Sequence, residues 1–259
     1  MSITLNSGNF EQISIYITST FLIAVILTAS SIPFVNSLGI KFNIIDEPDK
    51  RKQHKKNIVR FGGLGIFIGF FLTVLLITFI SYLYFSEYIQ YSLLLPILCC
   101  SFLYYILGTC DDLYKLRPLF KLSLQIIIAS IVYSLGVNFN AIDFSWLSQN
   151  LDPIFIHNIY SFIITILWIV GITNAINWLD GLDGLASGIA IFTCIGMLVL
   201  FLAYQKLELA FMVAALCGSS VGFLRFNFYP AKILMGDGGS YLLGSSLSII
   251  SIIGMTYNY

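Results

Sequence analysis

The chain has 259 residues, of which 58% are hydrophobic and only 10% charged, with 13 acidic and 13 basic side chains and a mean hydropathy of +0.90. Soluble domains carry roughly 25% charged residues, so this is the composition of a polytopic membrane protein. A formal net charge of zero gives no reason to expect a nucleic-acid partner.

Eight apolar runs are expected as helices near 10–35, 63–85, 93–110, 118–137, 156–176, 185–204, 209–226 and 240–255. Each is about the 18 to 25 residues a helix needs to cross roughly 30 Å of hydrocarbon. The expected fold is therefore an all-α, polytopic integral membrane helix bundle, one domain over 1–259. The first run lacks a basic start and is too long for a cleavable signal peptide, so it reads as a retained span. Cys99, Cys100, Cys110, Cys194 and Cys217 fall in or beside spans without a C-x-x-C pair and read as small packing residues.

Between the first two spans lie Asp46-Glu47-Pro48-Asp49 and a basic run, Arg51-Lys52-Gln53-His54-Lys55-Lys56. On spacing alone His54 is a solvated surface residue. The third span closes on Asp111-Asp112, with Lys115 at i+4 and i+3, a spacing that on a continuing helix lets the ammonium reach either carboxylate. Adjacent carboxylates repel, which raises one pKa or calls for a cation; the plainer alternative is a helix end in which Asp caps the next helix near Pro118. The segment 138–155, with Trp146 and Pro153, is expected to form a short interfacial hairpin or helix.

Asn174, Asn177, Asp180 and Asp183 recur every third residue. On a straight helix they would drift through about 180°, because three residues turn it by about 300°. Gly181 and Gly184 let the chain break there, so a helix end, a turn and a helix start are expected to present amides and carboxylates to one polar pocket. The last polar segment holds Asn227, Pro230, Lys232 and Gly236-Asp237-Gly238-Gly239, a loop able to press backbone amides against a phosphate. The lysines would hold phosphates as point charges. His54 and His157 are the only histidines and fall in loops on opposite sides, which disfavours zinc. Carboxylates with amide oxygens suit Mg²⁺, with Mn²⁺ as the alternative.

Alternate loops differ in basic content: 12 of the 13 Lys and Arg residues fall in the first, third and seventh loops or at their edges, and Lys206 alone on the other side. Positive charge is retained on the cytoplasmic face, which places the N-terminus outside and all four aspartate clusters at one cytoplasmic site. The basic first loop is also suited to anionic membrane lipid.

Four motifs in order resemble those of the polyprenyl-phosphate N-acetylhexosamine-1-phosphate transferases, the glycosyltransferase 4 family. They are Asp46-x-Pro48-x-x-Arg51-Lys52-x-His54 with Gly62-Gly63; Asp111-Asp112 with Lys121-Leu122-x-x-Gln125; Asn174-x-x-Asn177-x-x-Asp180-Gly181-Leu182-Asp183-Gly184-Leu185-Ala186; and Asn227-x-x-Pro230-Ala231-Lys232 with Met235-Gly236-Asp237-x-Gly239-Ser240. The first resembles the undecaprenyl-phosphate N-acetylglucosaminyl 1-phosphate transferase branch. The resemblance implies a UDP-sugar and undecaprenyl phosphate as substrates, Mg²⁺ as cofactor, a plasma-membrane location and a step that initiates an envelope glycan such as lipopolysaccharide or teichoic acid; a homodimer is left open.

Carried onto this chain, the resemblance makes Asp111 the base toward the lipid phosphate or, in a two-step version, the nucleophile, with Asp112 beside it. Asp237, Asp183 and Asp112 fall to metal and diphosphate, Asp237 first. Lys121 falls to the lipid phosphate and Asn177, Asp180 and Asn227 to the nucleotide side, with Lys115, Lys232 and His54 as further substrate-binding candidates. Family members continue through further spans beyond the last motif, so the chain, ending at Tyr259, is short at its C-terminus by that standard. A transporter would carry its carboxylates in mid-span; a non-catalytic scaffold or inactive fragment would not need the intact set.

Overall fold

The computed structural model describes residues 7–46, 57–84, 91–142 and 154–256. Within them the chain forms eight helices: α1 (Ser7–Lys41), α2 (Gly63–Tyr84), α3 (Tyr91–Tyr114), α4 (Pro118–Ser134), α5 (Asn158–Leu179), α6 (Leu185–Ala203), α7 (Leu207–Asn227) and α8 (Gly236–Thr256). Seven are long and apolar enough to cross a membrane. The exception is α4, whose 17 residues reach roughly 25 Å. The fourth span, expected over 118–137, is cut short because Gly136 takes a left-handed φ of 93° and its amide bonds back to Tyr133, which ends the helix.

Two helices form the centre. Of the span in α8, 83% is buried, and of that in α7, 72%, against 22% for α1. Around α8 pack α3, α5, α2 and α6, while α7 is flanked by α1, α6 and α2. Lipid is as apolar as leucine, so helices in a membrane associate through close packing and polar contacts, which favours small residues at the seams. α8 follows that rule: Cβ atoms on Gly108 of α3, Gly63 of α2 or Gly244 of α8 would fall on the backbone of Asp237, Gly239 and Thr173 respectively. Hydrogen bonds cross the α8 seams between Ser101 and Ser246 at 2.8 Å and from Trp168 Nε1 to Ser251 at 2.9 Å, and another joins α5 to α4 from Asn174 to Gln125 at 2.7 Å. Large apolar side chains point outward instead, among them Phe192, Leu167 and Phe79, as expected of a lipid-facing surface.

Two short antiparallel hairpins complete the described residues. β1 (Ile45–Asp46) pairs with β2 (Ile58–Val59), Ile45 opposite Val59, a pairing that apolar periodicity does not reveal. β3 (Ala141–Ile142) pairs with β4 (Ile154–Phe155), as expected for the segment 138–155, whose Trp146 and Pro153 lie outside the described residues.

Candidate active site

The site begins where α8 begins. The first turn of a helix has backbone N–H groups without intrahelical partners and a partial positive charge. Here the partner comes from another helix: one carboxylate oxygen of Asp112 accepts from the Asp237 amide at 3.0 Å and the other from the Gly238 amide at 3.0 Å. Asp112 thus caps α8, not the helix near Pro118. There, Arg117 occupies the N-cap position without a side-chain bond.

Asp111 and Asp112 belong to the last turn of α3, which runs four residues past the expected end at 110. Asp111 is 6% exposed. One of its oxygens accepts from the Leu116 amide at 2.9 Å, and the other is ion-paired with Lys121 at 2.7 Å. The lysine expected on that face is elsewhere: Lys115 has a φ of 50°, which leaves the helix, and its exposed side chain makes no ion pair among the described residues. Lys121 replaces it because the turn at 115–117 folds the first turn of α4 back over the end of α3.

A second cation closes the cluster. Arg60 places Nη2 2.6 Å from Asp237 Oδ1 and Nε 3.3 Å from Asp112 Oδ1. Its backbone is held by a ladder between the first and last loops: the Leu234 amide donates to Val59 at 2.8 Å, Gly62 to Leu234 at 2.9 Å and Gly63 to Met235 at 2.8 Å. Gly62-Gly63 is thus explained by contact, since a Cβ on Gly62 would strike the Phe223 ring. Arg60 carries no spacing signal of its own, and sequence reasoning counted it only as loop charge. The nearest clue was its position two residues before that glycine pair.

Asn177 donates to Asp237 and to Ser240, both at 2.9 Å. Asp180 is the C-cap of α5 and accepts from the Gly236 backbone. Burial pushes its carboxyl well above the usual carboxylate range; Arg60 opposes this, and Asp237 and Asp112 add to it. Burial works against the Arg60 charge, but Asp112, Asp237, Asp180 and Asp46 hold its pKa above the ordinary arginine value.

Asp183 and Asn227 form a latch beside this centre. The expected break occurs: α5 stops at Leu179, Gly184 takes a φ of 74° and α6 starts at Leu185. Asp183 accepts from the Ala231 amide at 2.9 Å. Asn227, 2% exposed, accepts from the Gly184 amide at 3.1 Å and donates to the Ile233 carbonyl at 3.0 Å. The pair fastens the α5–α6 turn to the α7–α8 loop. Lys232 is exposed without an ion pair among the described residues, and His54 lies outside them.

Four carboxylates, of Asp111, Asp112, Asp180 and Asp237, therefore meet two cations, Arg60 and Lys121, at one end of the bundle. Within the described helices charged side chains keep to the end turns, unlike a transport path through the membrane. Among the described residues no three acidic or histidine side chains form a ready-made cage. The carboxylates of this centre are the donor type that would suit Mg²⁺, which takes one or two carboxylates and completes its shell with water and substrate phosphate.

A family model described as glycosyl transferase family 4 matches residues 94–255. A Bacillus subtilis protein named a probable undecaprenyl-phosphate N-acetylglucosaminyl 1-phosphate transferase is 35% identical over 245 residues, 95% of this chain and 65% of that protein. A Mycolicibacterium smegmatis protein named decaprenyl-phosphate N-acetylglucosaminephosphotransferase is 31% identical, covering 89% of this chain and 58% of its own length. A Listeria monocytogenes phospho-N-acetylmuramoyl-pentapeptide-transferase is 34% identical, covering 91% and 74%. The chain thus spans less than two thirds of the first two relatives.

Proposed function

The chain belongs to glycosyl transferase family 4, and from that premise we propose that it transfers N-acetylhexosamine 1-phosphate from a UDP-sugar to undecaprenyl phosphate, opening a cell-envelope glycan. N-acetylglucosamine is the sugar we assign, in keeping with the name of the Bacillus subtilis relative. The products are the polyprenyl-diphosphate sugar and UMP. We place the protein in the plasma membrane with its N-terminus outside and this site in the cytoplasm, following the basic loops.

The observation that carries the reading is the ion pair of Asp111 with Lys121 between the end of α3 and the first turn of α4. Leu119, Phe120 and Leu122, which flank the lysine, are all exposed. A lysine ringed by lipid-facing side chains suits a phosphate whose hydrocarbon tail stays in the bilayer. In the reaction an oxygen of the lipid phosphate forms a bond to the β-phosphorus of the UDP-sugar, the bond from that phosphorus to the bridging oxygen breaks, and its electron pair leaves with UMP. The acceptor proton goes to Asp111. A base fits this residue better than a nucleophile, because its side chain is nearly enclosed and both oxygens are engaged. A proton can reach such an oxygen by hydrogen-bond exchange, whereas in-line attack on phosphorus needs an open approach.

Asp237 is the residue we assign to hold Mg²⁺, or Mn²⁺ in its place, with Asp180 beside it. Asp112 keeps α8 and Asp237 in register, and Arg60, 41% exposed along its side chain, is free to turn from Asp237 toward a diphosphate. The metal when bound would offset the charge of the joined phosphates and hold them in line. The test is Asp111→Asn: turnover should fall by about 10²–10⁴-fold, the usual worth of a positioned base, with UDP-sugar affinity unchanged in a binding titration. Near-normal turnover in that variant would remove Asp111 from the base role.

A further inference from the structure

Tyr241 lies on α8 four residues after Asp237, so the two side chains share one face of the helix. Its side chain is fully buried and meets the Tyr104 ring edge-on at 6.4 Å. The hydroxyl faces the Lys121 ammonium closely enough for a weak side-chain interaction and lies within electrostatic reach of Asp237 and Asp111, yet among the described residues it completes no hydrogen bond of full distance and geometry. Buried hydroxyls are nearly always paired, because an unpaired one has lost its water and gained nothing. The neighbouring polar groups are already engaged: Tyr104 donates to the Gln125 carbonyl at 2.9 Å, and Lys121 is drawn to Asp111 at 2.7 Å. One ammonium has three donors, and Tyr241 offers an acceptor beside it.

We infer that Tyr241 is a positioning residue for the acceptor phosphate, acting through Lys121. While Lys121 pairs with Asp111, the hydroxyl has the ammonium beside it but short of a full hydrogen bond. When a phosphate draws the ammonium away from Asp111, the phenolic oxygen accepts one of its N–H groups and fixes the new direction of the lysine. That exchange also frees the Asp111 oxygen that must take a proton. The inference rests on the transferase reading above, and it predicts a polar group that none of the sequence motifs marked.

The test is a titration of the full 259-residue chain in detergent with undecaprenyl phosphate, and separately with UDP-N-acetylglucosamine, for the wild type, Tyr241→Phe, Lys121→Gln and the double variant. Tyr241→Phe should weaken lipid-phosphate affinity about fivefold, in line with a lost hydrogen bond to a charged group, and change nucleotide-sugar affinity less than about twofold. Its unfolding midpoint should stay close to that of the wild type, because the oxygen removed completes no full hydrogen bond in this state. In the double variant the loss should match that of Lys121→Gln alone, since a residue acting through the lysine adds nothing once the lysine is gone. Unchanged lipid-phosphate affinity in Tyr241→Phe, additive losses in the double variant, or an equal loss for both ligands would each overturn the inference while leaving the transferase reading intact. A wild type that binds no polyprenyl phosphate would overturn that reading, and this inference with it.

Discussion

Asp180 faces two other carboxylates with one guanidinium nearby, and this makes it a pH-sensitive group outside the spans. Its folded pKa lies well above the ordinary 3.8 because of burial, with Asp237 and Asp112 adding to the effect and Arg60 opposing it. A carboxyl raised on folding contributes stability while protonated, and that contribution is lost as pH rises from the unfolded value through the folded one. Without added metal, the unfolding midpoint should therefore decline with rising pH above about pH 4, and Asp180→Asn should flatten the decline. A variant whose midpoint follows the wild-type slope would show that Asp180 does not carry this charge imbalance. Much of the residue-scale placement was legible beforehand, since Asp111, Asp112, Asn177, Asp180, Lys121 and Asp237 do converge. Arg60 was not legible, because an arginine in a basic loop looks the same whether it faces solvent or a carboxylate. Lys115 misled because its i+4 spacing assumes a helix that a left-handed residue ends.

Helix ends, more than helices, decide how this site is made. Hydropathy stops at the first polar residue, whereas α3 continues through Asp111 and Asp112 because those carboxylates find partners in Lys121, Arg60 and the α8 amides. The same reason extends α5 to Leu179 and starts α8 at Gly236 instead of 240. Apolar pattern therefore located every helix but misplaced the turns that carry function, and it missed that α4 is too short for a full span. The seam between α3 and α8 can be tested through Gly108, where a Cβ would fall on the Asp237 carbonyl. Gly108→Ala should lower stability by about 1–3 kcal/mol, the usual result of forcing extra volume into a close contact, seen as a lower unfolding midpoint in detergent. An unchanged midpoint would mean that α3 and α8 can separate without cost, and that Asp112 does not depend on this close approach to cap α8.

At the scale of the molecule, the bundle gathers acidic ends from α3, α5 and α8 at one end and leaves the helix middles to glycine, serine and lipid-facing side chains. That division explains how so apolar a chain holds four carboxylates together: each lies where water, a helix N-terminus or a cation can compensate it. The all-α membrane bundle followed from composition and the length of the apolar runs, and the β3–β4 hairpin was one of the two forms expected of its segment, while the β1–β2 pairing was not foreseen, because two-residue strands leave no periodicity to read. The central claim is that this end of the bundle joins a lipid phosphate to a nucleotide-activated sugar phosphate. The most direct measurement is transfer of radiolabel from UDP-N-acetylglucosamine into solvent-extractable lipid by the purified chain with undecaprenyl phosphate and Mg²⁺, run beside a chelator control. The account predicts label in lipid, UMP in equal amount, and loss of both on chelation. Labelled lipid that forms equally well with chelator present, or a chain that binds both substrates and releases no UMP, would contradict it.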